Sequence, residues 1–207
     1  MIRWTMLTLC LAMPVSAQAD ACRDEIVALF NGPLDPFQRP PHSQRTQVLN
    51  ADGSEQRVML SLIETPMRTI AGQPSSNWFT MAIDNEIWNG PSPEGPWTAN
   101  PAGFAGDRVA QMERILKAQI ANLTDTECHG PDEAGNLRYT YRTQSDPDEN
   151  GTYFGALDTI TVDKDSGQVI HFDQTEFVNS WSEGVSMERW VIEVTFDPAI
   201  KVNPPGE

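Results

Sequence analysis

The chain has little positive charge, and this shortage excludes two classes of partner. Its 207 residues include 14 lysines and arginines against 29 aspartates and glutamates, which leaves a formal net charge of -15. A surplus of carboxylates repels phosphate backbones and anionic head groups. We therefore expect no nucleic-acid binding and no electrostatic adhesion to membranes, so any attraction to lipid would have to be apolar.

Motifs for catalysis and metal binding are also missing. The three histidines, His42, His129 and His171, show no metal-ligand spacing, and the chain has no Cys-x-x-Cys pair. It also lacks the Gly-x-Ser-x-Gly elbow, Ser-x-x-Lys, His-Glu-x-x-His and phosphate-cradling glycine loops. We expect no enzyme activity, no metal and no cofactor. A hydrolase built on carboxylates that meet in space is the alternative that the sequence leaves open.

The acidic tract at residues 146–151 imitates the opening of a calcium loop, with acid or amide groups at alternate positions and a glycine at the sixth. Such a loop closes with a bidentate Glu at its twelfth position, where this chain has Leu157. We therefore predict a solvated turn here.

No apolar run in the chain approaches the roughly 20 residues that a helix needs to cross a bilayer. The N-terminus instead has the pattern of a secretory signal: Arg3 supplies positive charge, residues 6–13 are apolar, Pro14 ends that run, and residues 17–19 form a small-x-small cleavage site. These features predict a cleaved signal peptide over residues 1–19. They also predict a periplasmic protein whose single domain comprises residues 20–207 and has no transmembrane span.

The chain has only three cysteines, and their positions agree with export. Cleavage would remove Cys10 and leave Cys22 and Cys128, an even pair in an oxidising compartment. Neither Cys10 nor Cys22 follows the Leu-small-small tripeptide of lipoproteins, so we do not expect a lipid anchor. We predict a disulfide between Cys22 and Cys128, closing a loop of roughly a hundred residues.

Two segments have the apolar spacing of helices. Residues 20–30 begin with an acidic turn, carry apolar side chains from Ile26 to Phe30, and stop at Gly32. Residues 107–123 contain an apolar stripe that steps by three or four positions and should pack on a sheet. The stripe consists of Val109, Met112, Leu116, Ile120 and Leu123.

The rest of the chain is rich in β-forming residues that alternate with polar ones. The predicted strands are residues 45–49, 56–63, 69–70, 77–83, 87–88, 137–142, 158–162, 168–172 and 189–196. Turn signals such as Asp52-Gly53 and Asp84-Asn85 separate them. The sequence therefore predicts a mostly β domain with the order helix, meander, helix, meander.

Five tryptophans remain after removal of the signal, in a chain that is otherwise acidic. Aromatic side chains of this size belong by default to a core, but a meander with helices on one side can also curl into a cup. The candidate lining of such a cup is Phe79, Met81, Ile83, Tyr139, Tyr141, Trp190, Ile192 and Val194. Core and cavity wall both stay open at this point.

The order of several short segments resembles that of a known superfamily. These segments are Trp-Phe-Thr-Met-Ala-Ile at 78–83, Glu-Gly-Pro-Trp at 94–97, Asp-Ser-Gly-Gln-Val at 165–169 and Asp-Pro-Ala-Ile-Lys-Val at 197–202. Together they resemble the periplasmic LolA-like lipoprotein carriers and the related LppX and LprG lipid-binding proteins. The resemblance covers most of residues 20–205.

The resemblance implies an α+β fold, in which a strongly curved antiparallel sheet forms an unclosed half-barrel and helices cover its concave face. The helix at 107–123 would act as a lid over a cavity for a lipid, an acyl chain or a lipoprotein, and an envelope protein could be a partner. The resemblance assigns no individual residue a role. The alternative is a non-catalytic structural or partner-binding envelope domain with a filled core.

Overall fold

The computed structural model of the protein describes residues 15–206, with side chains described from Asp20 onward. Most of the predicted signal peptide therefore lies outside the described residues. Within the part that is described, no helix has the length and apolar character needed to span a membrane.

Eleven strands of the described residues form one open, strongly curved antiparallel sheet, and two helices complete an α+β fold. The strands are β1 (His42–Leu49), β2 (Glu55–Thr65), β3 (Arg68–Gln73), β4 (Trp78–Ile83), β5 (Glu86–Gly90), β6 (Thr98–Asn100), β7 (Thr124–His129), β8 (Leu137–Gln144), β9 (Phe154–Val162), β10 (Val169–Asn179) and β11 (Arg189–Phe196). Their order in the sheet is β6-β5-β4-β3-β2-β1-β11-β10-β9-β8-β7.

Two meanders, β1–β6 and β7–β11, are joined into this sheet where the first strand pairs with the last, from His42 with Phe196 to Leu49 with Arg189. Every strand predicted from the sequence is present, but β6 and β7 were missed. Strand β6 has only three residues in a segment rich in proline and glycine. Strand β7 is mostly polar and lacks the apolar alternation that identified the others.

Helix α1 (Val15–Phe30) packs against the sheet through one face of its C-terminal part. Cys22, Ile26 and Phe30 recur every four residues, so they share one face of the helix, and all three are buried. A disulfide joins Cys22 to Cys128 in β7, which confirms the predicted pair. The helix begins earlier than the predicted Asp20 and ends where predicted.

Helix α2 (Arg108–Ala121) begins at an N-cap, because the Asp107 side chain accepts a hydrogen bond from the Ala110 backbone N–H. The buried Arg108 guanidinium anchors this end: it donates to the carbonyls of Pro66 and Asp84 and lies 4.1 Å from the centre of the Phe104 ring. The predicted helix is thus confirmed within two residues at each end.

The strand register divides the side chains between two faces of the sheet. Paired residues point to the same face and neighbours along a strand point to opposite faces. Following the pairs from Tyr139 through Ile160 and Phe172 leads to Ile192 on what we call the helix face. Following them from Met81 leads through Ile70 to Leu62 on what we call the tail face.

The helix face of strands β7–β10 carries the larger core, and both helices pack on it. Its buried members are Cys22, Ile26, Phe30, Leu123, Tyr139, Tyr141, Ile160, Val162 and Val169. Of the predicted stripe of α2, Leu116, Ile120 and Leu123 join this core, whereas Val109 is 38% exposed. The apolar contacts between α2 and the sheet therefore come from the C-terminal half of the helix.

The tail face of strands β2–β5 carries a second core, covered by the C-terminal segment. Its buried members are Ile70, Phe79, Met81, Ile83 and Val202. Glu64 accepts hydrogen bonds from the Val202 backbone N–H at 2.9 Å and from Lys201 Nζ at 3.0 Å, and Arg68 donates to the Val202 carbonyl at 3.0 Å. These contacts clamp the segment onto the sheet.

Candidate functional site

A cavity of about 740 Å³ opens on the helix face, between the sheet, helix α2 and the loop that connects β10 to β11. The sheet contributes residues of β2, β8, β9, β10 and β11, and α2 contributes Gln119. The residues that shape the walls and floor are Arg57, Gln119, Phe154, Ala156, Asp158, Gln174, Phe177, Trp181, Glu183, Glu188 and Trp190.

Aromatic rings form much of the cavity wall. The rings of Phe177 and Trp190 lie in contact, with centroids 5.1 Å apart and planes tilted by 47°. Phe154 and Trp181 line the same space and keep much of their surface exposed, 41% and 69% respectively. An apolar ligand in the cavity would cover these rings and remove them from water.

The loop between β10 and β11 is held in place although its apolar side chains are exposed. Ser186 pairs with Phe177 through an isolated bridge, and the Ser180 backbone N–H donates to the Tyr153 carbonyl at 3.1 Å. The Asn179 side chain accepts hydrogen bonds from the Trp181 N–H and the Ser182 hydroxyl. The loop therefore presents Trp181 from a defined backbone.

Asp158 lies at the floor of the cavity, in the middle of β9, and is only 6% exposed. Among the described residues its carboxylate accepts one side-chain hydrogen bond, from Gln174 Nε2 at 2.5 Å. Burial raises its pKa to about 6, although the hydrogen bond from Gln174 acts in the opposite direction. The group is thus ionised at neutral pH and becomes neutral in mildly acidic solution.

Three carboxylates and one guanidinium face the cavity. Arg57 lies 3.7 Å from Glu188 and 5.9 Å from the centre of the Trp190 ring, so its charge already has an anion and an aromatic face as neighbours. The Trp190 indole N–H donates to Glu188 at 3.1 Å. Asp158 and Glu183 have no cationic partner within salt-bridge distance among the described side chains. The cavity is therefore negative overall.

A second group of polar side chains is buried near the floor. Tyr141 stands opposite Asp158 in the sheet, and its complete burial, together with the nearby carboxylate, raises its pKa well above the ordinary value. Burial lowers the pKa of Arg39 to about 10, and its guanidinium lies 5.7 Å from the centre of the Phe172 ring. Nε and Nη2 of Arg39 have no hydrogen-bond partner within the described part of the chain.

The acidic tract at residues 146–151 forms the turn predicted from the sequence. Asp148 accepts hydrogen bonds from the backbone N–H groups of Asn150 and Thr152, as expected for a turn. Across residues 15–206, no group of three or more histidines, cysteines, aspartates or glutamates is arranged to hold a metal.

The structure divides the predicted cup residues between the two faces. Trp190, Ile192, Val194, Tyr139 and Tyr141 lie on the helix face, but of these only Trp190 lines the cavity. The two tyrosines belong to the core beneath the helices. Phe79, Met81 and Ile83 lie in the core of the tail face. The predicted set therefore does not come together around a single space.

Most of the cavity residues were missed by the sequence reasoning. Asp158 carries the strongest signal that was available, because aspartate is depleted in strands and this one falls inside an apolar alternation. Trp181 is one of the five tryptophans counted in the sequence, but it lies outside every predicted strand.

No family model matches the chain, and no curated protein matches it either. The functional argument therefore depends on the geometry of this cavity.

Proposed function

We propose that the protein is an exported binding or carrier protein that holds a lipid, an acyl chain or another apolar molecule in the cavity beside α2. The observation that carries the proposal is a cavity of about 740 Å³ whose walls include Phe154, Phe177, Trp181 and Trp190. Ligand pockets in proteins typically measure 300–1,000 Å³ and are lined mainly by apolar and aromatic groups.

The exposed aromatic surface supports this proposal energetically. Each Å² of apolar surface that a ligand covers contributes about 25 cal/mol, so a single chain can bind usefully without a dense polar network. Trp181 and Phe154 are at present open to water, and a ligand would bury them. The cavity thus offers apolar area that the folded chain itself does not use.

Helix α2 would be the cover of the site, and the helix face would be the concave side of the sheet. Gln119 of α2 lines the cavity, while the neighbouring Ile120 is fixed in the core. The N-terminal half of α2 contributes little to that core, and Val109 there is exposed. Its first residue is held by the hydrogen bonds of Arg108, so α2 would form a fixed wall of the site at both of its ends.

The expected signal peptide and the disulfide support an exported location. Disulfides persist in oxidising compartments such as the bacterial periplasm and are rare in the cytosol. The bond between Cys22 and Cys128 is therefore in keeping with a periplasmic carrier. The intact mass of the protein isolated from a bacterial envelope tests this directly, because cleavage after Ala19 and a closed disulfide each give a defined mass.

Binding is tested with Nile red, a neutral apolar dye whose fluorescence rises in apolar surroundings. We expect saturable binding to the purified wild type and its loss in Ala156→Phe, because the larger side chain fills the floor of the cavity. Ala102→Phe makes the same substitution in an exposed turn and should leave binding unchanged. Lipid extraction and native mass spectrometry of the wild type show whether it is purified with cargo.

Thermal melting of both variants establishes that the protein is folded in the assay. If Ala156→Phe does not fold, Trp181→Ala provides the second test, since an exposed wall residue can be removed without opening the core. Protein that carries no lipid and binds no dye would overturn the proposal. So would dye binding that Ala156→Phe and Trp181→Ala leave unchanged.

A second candidate function is a partner-binding envelope domain, and one observation favours it. Large apolar side chains in the β10–β11 loop are exposed: Trp181 is 69%, Val185 52% and Met187 73% exposed. Grouped apolar side chains on a surface often mark an interaction site. Crosslinking in envelopes would distinguish the two functions, because Met187 is exposed and is not among the residues that line the cavity, so Met187→Ala should affect only a protein partner.

A further inference from the structure

The buried carboxylate of Asp158 gives the cavity a chemical preference beyond apolarity. It is 6% exposed, it lines the cavity floor, and Gln174 is its hydrogen-bond donor. A carboxylate kept from water is costly unless charge and hydrogen bonds compensate it. The cavity side of this group is where a ligand could supply that compensation.

The walls around this carboxylate favour positive charge. Ring faces attract cations through their quadrupole, and aromatic side chains with nearby acids are a common recognition site for ammonium groups. Phe177 and Trp190 supply such faces, and the guanidinium of Arg57 already lies over Trp190. Glu183 and Glu188 add negative charge at the rim, so the lining holds three carboxylates and one guanidinium, while the second guanidinium nearby, that of Arg39, lies near Tyr141 and outside the lining.

We infer that the cavity selects a ligand that combines an apolar body with a cationic, ammonium-type group, and that the cationic group binds at Asp158 beside the aromatic wall. This inference rests on the proposed function and names the class of its ligand. A ligand with a carboxylate head of equal length is disfavoured, because its charge would meet Asp158 at the floor or Glu183 and Glu188 at the rim. The net charge of -15 repels it further.

The test compares three ligands with the same twelve-carbon chain: dodecyltrimethylammonium, dodecanol and dodecanoate. Each is titrated at concentrations below its micelle point into the wild type, Asp158→Asn and Glu183→Gln, with displacement of Nile red as the readout. Asp158→Asn retains an oxygen that can accept from Gln174, so the fold should persist. Glu183→Gln removes the same charge from an exposed rim position, so it separates the general charge of the rim from the specific contact at Asp158.

We expect the wild type to prefer the ammonium ligand over dodecanoate at neutral pH. Asp158→Asn should weaken ammonium binding by about tenfold to a hundredfold, the loss expected for a hydrogen bond or close contact to a charged group. Its affinity for dodecanol should stay within about twofold of the wild type, because the apolar walls are intact. Glu183→Gln should change ammonium binding by less than about fivefold.

Lowering the pH gives an independent readout of the same group. Asp158 pairs with Tyr141 of β8 and accepts from Gln174 of β10, and Gln119 of α2 lines the same cavity. The other charged groups nearby are Arg39, beside Tyr141, and Arg57, Glu183 and Glu188 in the lining. Of the groups at the floor, Asp158 is the one that titrates near neutrality. Between pH 7 and pH 5, ammonium binding to the wild type should weaken about tenfold, and binding to Asp158→Asn should not.

The outcomes separate the inference from the proposed function. Equal binding of all three ligands, or ammonium binding that Asp158→Asn leaves intact, would overturn the inference while leaving an apolar carrier. A preference for dodecanoate would do the same. Failure of all three ligands, together with failure of Nile red, would overturn both. Selective loss of ammonium binding in Asp158→Asn would support both.

Discussion

The two halves of the sheet bury opposite faces. Strands β7–β10 bury the helix face beneath α1 and α2, whereas strands β2–β5 bury the tail face beneath the C-terminal segment around Val202. The opposite faces carry polar side chains. Arg138 and Arg142 lie on the tail face of strands β7–β10, and Thr69 and Thr80 lie on the helix face of strands β2–β5. A single curved sheet thus has two cores that do not share a side.

A binding space forms on only one of these two faces. The candidate cavity lies on the helix face, beside the core that the helices build, and the tail-face core has no part in its lining. The start of β9, the end of β10 and the loop that follows β10 all contribute to this lining. The tail, by contrast, is a short segment clamped directly to the sheet by Glu64 and Arg68.

Removal of the disulfide should have the largest effect on the free energy of unfolding. The bond lies in the half of the sheet that the helices cover, strands β7–β10. The bond closes a loop of 106 residues in sequence separation. The chain-entropy account predicts a loss of about 4–5 kcal/mol in the free energy of unfolding for the double variant Cys22→Ala and Cys128→Ala. Urea denaturation measures it, and the reduced wild type is the control.

Amide hydrogen exchange in the same variant shows which half of the sheet loses stability. Exchange should rise most in α1 and β7, which the bond joins, and least in β3 and β4 on the far side of the sheet. A loss of stability below about 1 kcal/mol, or a uniform rise in exchange across the sheet, would contradict the prediction.

A matched pair of truncations compares the two cores. Ile26→Ala opens a cavity in the core beneath the helices, and Met81→Ala opens one in the tail-face core; both side chains are at most 1% exposed. Each should lower the free energy of unfolding by about 3 kcal/mol. Met187→Ala, at a position 73% exposed, is the control and should change it by no more than about 0.5 kcal/mol.

The pair also reports whether the halves unfold together. Since β1 and β11 pair along eight residues of each strand, we expect one transition that both variants move. Circular dichroism and tryptophan fluorescence recorded through the same urea titration test this. Two separated transitions, each sensitive to one variant only, would mean that the halves are independent folding units.

The smallest expected effect on stability comes from the hydrogen bonds between Glu64 and the C-terminal segment at Lys201 and Val202. Donation from the Val202 N–H, and then from Lys201, lowers the pKa of Glu64 below its ordinary value of 4.5. Because the folded pKa is the lower one, this contact stabilises the protein fully above that ordinary value and is lost as pH falls through the depressed pKa. Glu64→Gln should cost about 1 kcal/mol at pH 7.

Urea denaturation of the wild type and Glu64→Gln from pH 7 downward measures this difference, which should shrink only in the acidic range. Lys201→Ala is the control: its side chain is 60% exposed, so it should cost less than about 1 kcal/mol. If the difference in the free energy of unfolding between Glu64→Gln and the wild type does not change with pH, the ionised Glu64 carboxylate does not stabilise the C-terminal segment.

Local patterns in the sequence predict most of the elements of this fold. The apolar alternation of β8 and β11, the stripe of α2 and the cysteine pair all depend on neighbours along the chain or on simple counting. The alternation shows that Met81 and Tyr139 are each on a dry face. It does not show that these faces are opposite, because that depends on the register of every strand between them.

The cavity could not be predicted for the same reason. Its residues come from five strands, one helix and a loop, and no interval of the sequence connects Arg57 with Trp181. In the sequence Asp158 is a charged residue in an otherwise apolar alternation. Its role in the cavity depends on Gln174 and on the aromatic residues, which come from other strands and from the loop. Such a site forms only when strands that are distant in sequence pair with one another.

The two strands at the ends of the sheet have a further consequence for the protein at high concentration. An open sheet exposes unpaired backbone groups that can recruit the edge of another molecule. Here β6 has only three residues, and β7 is interrupted by a bulge at which Asp125 has a φ of 51° and Glu127 is exposed. Shortness at one edge and a charged bulge at the other both oppose edge-to-edge aggregation, so the sheet can remain open without becoming a template for fibres.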